Sequence, residues 1–208
     1  MTNAFGSIYR VPPIIEAVIQ FRFVEAGSKS LRAKLLKRLK REYAHEMPLQ
    51  TVGANVDFQK LETAYTAELQ TRLSSSDEAD VLIVHPSVLT WSRLAPYHGW
   101  DELFDRVKRD AEIVRSVFGH QQIGQIGVRY INRIDVPMRN GVSRYEDYLT
   151  INLSLPEDWE GVSNYGWRFE KLYPHKGLLA IVQSAVIAPE IPNHAAFLLD
   201  IDILRRTE

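Results

Sequence analysis

Charged residues stand at alternate positions in four stretches of this chain, and alternation of that kind places them on one face of a strand. Glu16, Gln20 and Arg22 share a face of IIEAVIQFRF, opposite Ile15, Ala17, Ile19, Phe21 and Phe23. In GQIGVRYINRIDV, Arg129, Ile131 and Arg133 share one face, and Tyr130 and Asn132 take the other. Arg168 and Glu170 pair in the same way in WRFEKLY, and Asp200 and Asp202 lie opposite Leu199, Ile201 and Ile203 in AFLLDIDIL. Laid side by side, these strands would carry Arg22, Arg129, Arg133, Arg168, Glu16, Asp200 and Asp202 as one charged lattice. Two kinds of chemistry suit it. Forked guanidinium groups bind phosphate or carboxylate, with the carboxylates orienting them, holding a hard divalent cation or acting as a general base. Alternatively, the same residues pair with one another across strands, each pair contributing only ~0.2 to 1 kcal/mol.

A second charged feature is segregated. KSLRAKLLKRLKR, residues 29–41, holds seven basic residues and no acid, so this segment is +7 and the rest of the chain is -8. Leu31, Leu35, Leu36, Leu39 and Tyr43 recur at helical spacing, which predicts an amphipathic helix with a cationic outer face. Lys34, Lys37, Arg38 and Arg41 are the candidate partner-binding residues on it. A solvated helix packed on a sheet would show the same pattern.

Other chemistries lack their motifs. With no cysteine there is no disulfide, thiolate metal site or cysteine nucleophile, which fits a reducing compartment. His45, His85, His98, His120, His175 and His194 are scattered without metal-ligand spacing, and neither a G-x-S-x-G elbow nor a phosphate-binding glycine loop occurs. No metal and no cofactor is expected. Trp91, Trp100, Trp159 and Trp167 are expected mostly in the core, with Trp167 and Phe169 alternating as buried strand residues.

These residues need elements to hold them. Pro12 and Pro13 lead into a strand at Ile14–Phe23, and the basic helix follows. Strand-like runs come next at Val52 to Lys60, Tyr65 to Ser74, and Val81 to Leu94, the last split near Pro86. Trp100 to Phe118 reads as a helix whose apolar stripe is Trp100, Leu103, Phe104, Val107, Ala111, Val114 and Phe118, stopped by Gly119. The second half supplies a strand at Gly124 to Val136, a short helix near Tyr145 to Leu149 capped by Ser143 and Glu146, and three strand runs beginning at Trp167, Leu178 and Ala196. The order predicts an α+β protein: an extended, largely antiparallel curved sheet backed by two main helices. It forms a single domain over residues 1–208, with pseudo-repeat halves 11–119 and 120–208. A true duplication would place a second closing helix after Leu204, where only Arg205, Arg206, Thr207 and Glu208 follow. An apolar strip left uncovered there would invite a partner chain.

The chain has 208 residues, 45% of them hydrophobic and 25% charged, the balance of a folded protein with a sizeable core. Its net charge of -1 gives no whole-molecule attraction to nucleic acid or membrane. The longest apolar stretch, Gly177 to Ile187, is too short to span a bilayer and is interrupted by Gln183 and Ser184. A cytoplasmic protein without membrane contact is expected.

The segments VPPIIEAVIQFRF, IGVRYINRI and LLDID, in this order, resemble a sporadically distributed bacterial protein family of about this size with no assigned function. Pro13, Glu16, Arg129, Tyr130, Asn132, Arg133, Asp200 and Asp202 are the positions that match, and no catalytic role transfers with them. Members usually continue past the LLDID strand with helical sequence. The resemblance implies a bacterial unit of patchy occurrence, as in defence or toxin-antitoxin systems. The leading expectation is a non-catalytic binding or interaction module, accessory to such a system, with a protein partner or a homo-oligomer. The competing one is an enzyme or sensor that binds a phosphorylated or nucleotide ligand over the sheet. Nucleic-acid binding is less favoured because acids balance the arginines on these strands.

Overall fold

Pro12 and Pro13 hold the chain extended into β1 (Ile14–Phe23), which lies in the interior of a nine-stranded sheet. The structure is a computed structural model and describes residues 11–57, 62–138, 148 and 166–207. After β1 come α1 (Lys29–Leu39), β2 (His45–Asp57), β3 (Glu62–Ser74), β4 (Asp80–Val84), β5 (Val88–Leu94) and α2 (Trp100–Phe118). The chain continues with β6 (Ile123–Pro137), β7 (Gly166–Tyr173), β8 (Leu178–Ile187) and β9 (His194–Arg206). The spatial order is β2-β3-β4-β5-β1-β6-β9-β8-β7, and every neighbouring pair is antiparallel. The sheet is curved and does not close, and the α+β architecture is the one expected.

β1 and β6 join the two halves at the middle of the sheet, from Ile14 opposite Asn132 to Phe23 opposite Ile123. On each side, the first strand of the half pairs with its last strand: β1 with β5, and β6 with β9. The run Val81 to Leu94, read as one interrupted strand, is instead a hairpin of two strands, because Pro86 and Ser87 turn the chain back on itself. The first half therefore holds five strands where the repeat scheme has four. The expected helix near Tyr145 to Leu149, with its Ser143 and Glu146 cap, lies outside the described residues except for Tyr148, as does Trp159 wholly.

Both helices pack on the face of the sheet that carries Ala17, Ile19, Leu73, Leu82, Leu89 and Trp91, all 3% exposed or less. Leu35 and Leu39 of α1 and Leu103, Val107, Val114 and Val117 of α2 complete this core. Ser28 caps α1 by accepting from the Leu31 amide, and Gly119 ends α2 with a φ of 74°, which glycine reaches without a Cβ clash. The α2 stripe is rotated from the one expected. Trp100 and Phe104 stack on each other at the surface, each 39% exposed, while Arg106 and Asp110 are buried in their place. Trp167 is half-buried and Phe169 is 50% exposed, so these β7 aromatics are not core residues as expected.

The buried polar residues explain the rotation. Asp110 is wholly buried, and its carboxylate accepts from Tyr43 Oη at 2.5 Å, Trp91 Nε1 at 2.9 Å, and Arg109 Nε and Nη2 at 3.0 and 2.9 Å. Arg106 donates to the Ser92 carbonyl at 2.7 Å and stands 3.5 Å from Asp80, which also pairs with Arg93. A buried charge is tolerable only when paired and hydrogen-bonded, so these bonds fix which side of α2 faces inward. Burial, and then the adjacent Asp110 charge, hold the Tyr43 hydroxyl far above its ordinary 10.0.

Tyr43→Phe leaves Asp110 one donor short and is expected to lower the unfolding free energy by about 1 to 3 kcal/mol, measured by urea denaturation at pH 7. The native state keeps a phenolic proton that the unfolded chain releases near pH 10, so wild-type stability falls as pH rises through 10.0. The variant should show a shallower decline over the same range.

Candidate functional site

The strand registers place the charged lattice residues of β1, β6, β9 and β7, with Gln183 of β8, on the face opposite the helices. Arg129 lies between Val18 of β1 and Asp202 of β9, Asp200 lies between Ile131 and Gln183, and Gln183 lies beside Arg168. Paired residues of antiparallel strands share a face, so Glu16, Arg129, Asp200, Asp202, Gln183, Arg168 and Glu170 form one surface.

At its centre Arg129 reaches diagonally and donates to both oxygens of Asp200, from Nε at 2.8 Å and Nη2 at 2.6 Å. Gln183 Nε2 donates to the same Asp200 Oδ2 at 2.6 Å, and Gln183 Oε1 accepts from Arg168 Nη1 at 3.0 Å. Arg168 then closes on Glu170 Oε1 through Nε and Nη2 at 2.9 and 2.7 Å. The chain of contacts crosses four strands, and its middle carboxylate is 2% exposed. Burial pushes the Asp200 pKa up, but hydrogen bonds from Arg129 and Gln183 and the charges of Arg129 and Arg168 outweigh it, holding the group below 3.8. Asp202 is the opposite case. Burial, aided by the like charge of Asp200 and opposed by Arg129, holds it above 3.8, and it accepts no hydrogen bond among the described residues.

The remaining predicted residues do not join this centre. Arg133 donates to Asp135 at 3.0 and 3.2 Å, to Glu190 at 2.9 Å and to the Ala188 carbonyl at 3.1 Å. Arg22 is exposed, makes no ion pair among the described residues, and lies opposite Gln125. Arg22 and Arg133 are thus each four strand positions from Arg129, roughly 13 Å along the backbone in opposite directions. Glu16 contributes charge at Arg129 without a direct bond. Four carboxylates, Glu16, Glu170, Asp200 and Asp202, surround only two guanidinium groups, so the cluster as a whole is acidic. No group of three or more potential metal ligands occurs among the described residues.

On α1 the charges are disposed differently. Arg32 donates to the Leu69 carbonyl at 2.9 Å, Arg38 to Ser116 Oγ at 2.5 Å, and Lys40 pairs with Glu46 at 2.6 Å. Lys29, Lys34, Lys37 and Arg41 are exposed and make no ion pair among the described residues. Their cationic face stands out from the helix side of the sheet, while Leu35 and Leu39 anchor the helix beneath it.

Gln183 is the site residue that alternation of charge did not single out. Its signal was present, since it interrupts the apolar run LLAIVQSAVI. Its role depends on a register that brings it between Asp200 and Arg168.

Arg129→Ala strands the buried Asp200 carboxylate and should cost about 2 to 3 kcal/mol at pH 7. Asp202→Asn removes a charge that the native state disfavours and should raise the urea midpoint at the same pH. The stability tied to Asp200 is present above its ordinary 3.8 and is lost as pH falls below it, so Asp200→Asn should flatten the acid limb of the stability curve.

Among the described residues no helix is long and apolar enough to cross a membrane. Comparison with protein-family models and with curated protein sequences finds no match to the chain, so the role of these surfaces has to be read from their geometry.

Proposed function

We propose that the protein is a non-catalytic interaction module that presents the outer face of α1 to an acidic protein partner. The observation that carries this reading is the contrast between its two charged surfaces. Arg129 and Arg168 are already bonded to carboxylates within a cluster that has more acids than bases, and Arg133, outside that cluster, is bonded to Asp135 and Glu190. Lys29, Lys34, Lys37 and Arg41 are exposed and unpaired among the described residues.

The unpaired face has an energetic cost. Lys34 with Lys37 and Lys34 with Arg38 are three and four positions apart within α1, and like charges so placed each destabilise a helix by ~0.2 to 0.5 kcal/mol. Lys29 adds a cation in the first turn, at the positive end of the helix dipole. A helix that needed only solvation would be better served by mixed charge. An acidic partner surface would relieve this repulsion and would be steered by it during encounter. The phosphate-ligand reading of the sheet would require arginines to leave existing carboxylate partners and to converge across spacings wider than one phosphate.

The test is native mass spectrometry of protein purified gently from its host, repeated with Lys34→Glu, Lys37→Glu and Arg41→Glu combined. The expected result is a stoichiometric acidic protein bound to the wild type, weakened by added salt and absent from the variant. The melting temperature should change by no more than about 3 °C, since these are surface charges. Retention of the partner by the variant, or co-purification of nucleic acid alone, would overturn the proposal.

A further inference from the structure

Beyond the interface on α1, the other end of α2 borders a cavity that none of these contacts uses. It has a volume of about 300 Å³ and lies on the helix side of the sheet, where the last turns of α2 and the connection into β6 pass over β1 and β5. Its apolar wall includes Phe21, Leu89, Trp91, Ala111 and Val114, and its polar rim is Arg115, His120 and Gln121. We infer that this cavity binds a small organic acid with an aromatic or branched apolar body, whose carboxylate is held at the rim by Arg115 and His120.

Three features support the assignment. The wall is preformed: Trp91 is tied to Asp110 at 2.9 Å and meets Phe21 edge-on with ring centroids 5.2 Å apart. An aromatic or branched guest would meet ring faces and edges already in place. The volume is at the small end of ligand pockets and suits a guest of roughly ten to fifteen non-hydrogen atoms. The polarity is segregated to one side. Gln121 is engaged with the Phe118 carbonyl at 3.1 Å, whereas the Arg115 guanidinium and the His120 ring have no hydrogen bond or ion pair among the described residues. Unlike the sheet arginines, Arg115 therefore has its full fork available for an incoming carboxylate.

The inference stands independently of α1 and is tested on the intact 208-residue chain. Isothermal titration with 3-phenylpropanoate, and with 3-phenylpropan-1-ol as the uncharged counterpart, should show the acid binding at least about tenfold tighter than the alcohol. Ala111→Phe, which adds bulk from α2 into the cavity, should abolish both. Arg115→Gln, a surface change that leaves the wall intact, should bring the acid down to the affinity of the alcohol, and Arg115→Lys should restore part of the difference. Equal affinity for acid and alcohol, no binding of either at millimolar concentration, or binding that survives Ala111→Phe would overturn the assignment. So would a concentration-dependent dimer that Ala111→Phe dissolves, which would give the cavity to a second copy of the chain.

Discussion

A single carboxylate, that of Asp110, sets the position of everything on the helix side of the sheet. Removing an ionised carboxylate from water is tolerable only if its oxygens find donors in return. Asp110 finds them on three separate parts of the chain: Trp91 in β5, Tyr43 in the link from α1 to β2, and Arg109 on its own helix. Shifting α2 by even one residue would move the carboxylate about 100° round the helix axis, away from all but its own neighbour. The same constraint holds α1, because Tyr43 follows directly on its last turn and Arg109 also pairs with Glu42 at 3.1 Å.

With α2 pinned through its middle, its two ends are left to meet other demands. Toward its start, Arg106 reaches under the helix to the Ser92 carbonyl and to Asp80, so a second ionic contact secures β4 and β5. Toward its end no hydrogen bond or ion pair from α2 to the sheet occurs among the described residues, and a space between Val114 and the aromatic residues of β1 and β5 remains open.

The two faces of the sheet use charge in different ways. Between the helices and the sheet, charge is sparse and buried, and Asp110 and Arg106 each bond to other parts of the chain, with Arg106 Nε left without a partner among the described residues. On the other side, it is spread across four strands as a relay from Arg129 through Asp200, Gln183 and Arg168 to Glu170, each bond shorter than 3.1 Å. Asp202 stands beside that relay without a hydrogen bond among the described residues, and burial with the nearby Asp200 charge pushes its pKa up. Free cationic charge is concentrated elsewhere, on α1 and the turn after it, where Lys34, Lys37 and Arg41 make no ion pair among the described residues.

The amino-acid order by itself determined where most strands run, because the period of two in IIEAVIQFRF and GQIGVRYINRIDV is imposed by burying one face of a pleated backbone. It determined both ends of α2 through Trp100, Phe118 and the glycine that stops it, and it determined that α1 would be cationic outside and leucine-rich inside. Which residues of the lattice share a face was legible for the same reason. Their partners were not: whether Arg129 bonds Asp200 or Asp202, and whether Arg168 touches either, depends on registers between strands up to 71 residues apart in the chain. Only the tertiary structure decided that β4 and β5 fold back as a hairpin, since Pro86 marks a break without showing where the chain then pairs. It alone turned α2 so that Arg106 and Asp110 went inside and Trp100 and Phe104 stayed at the surface. Periodicity counts apolar residues, so it places Leu103, Val107 and Val114 correctly but includes Trp100 and Phe104 and misses Arg106 and Asp110, which are held inside by partners such as Tyr43, Trp91 and Ser92 from distant parts of the chain.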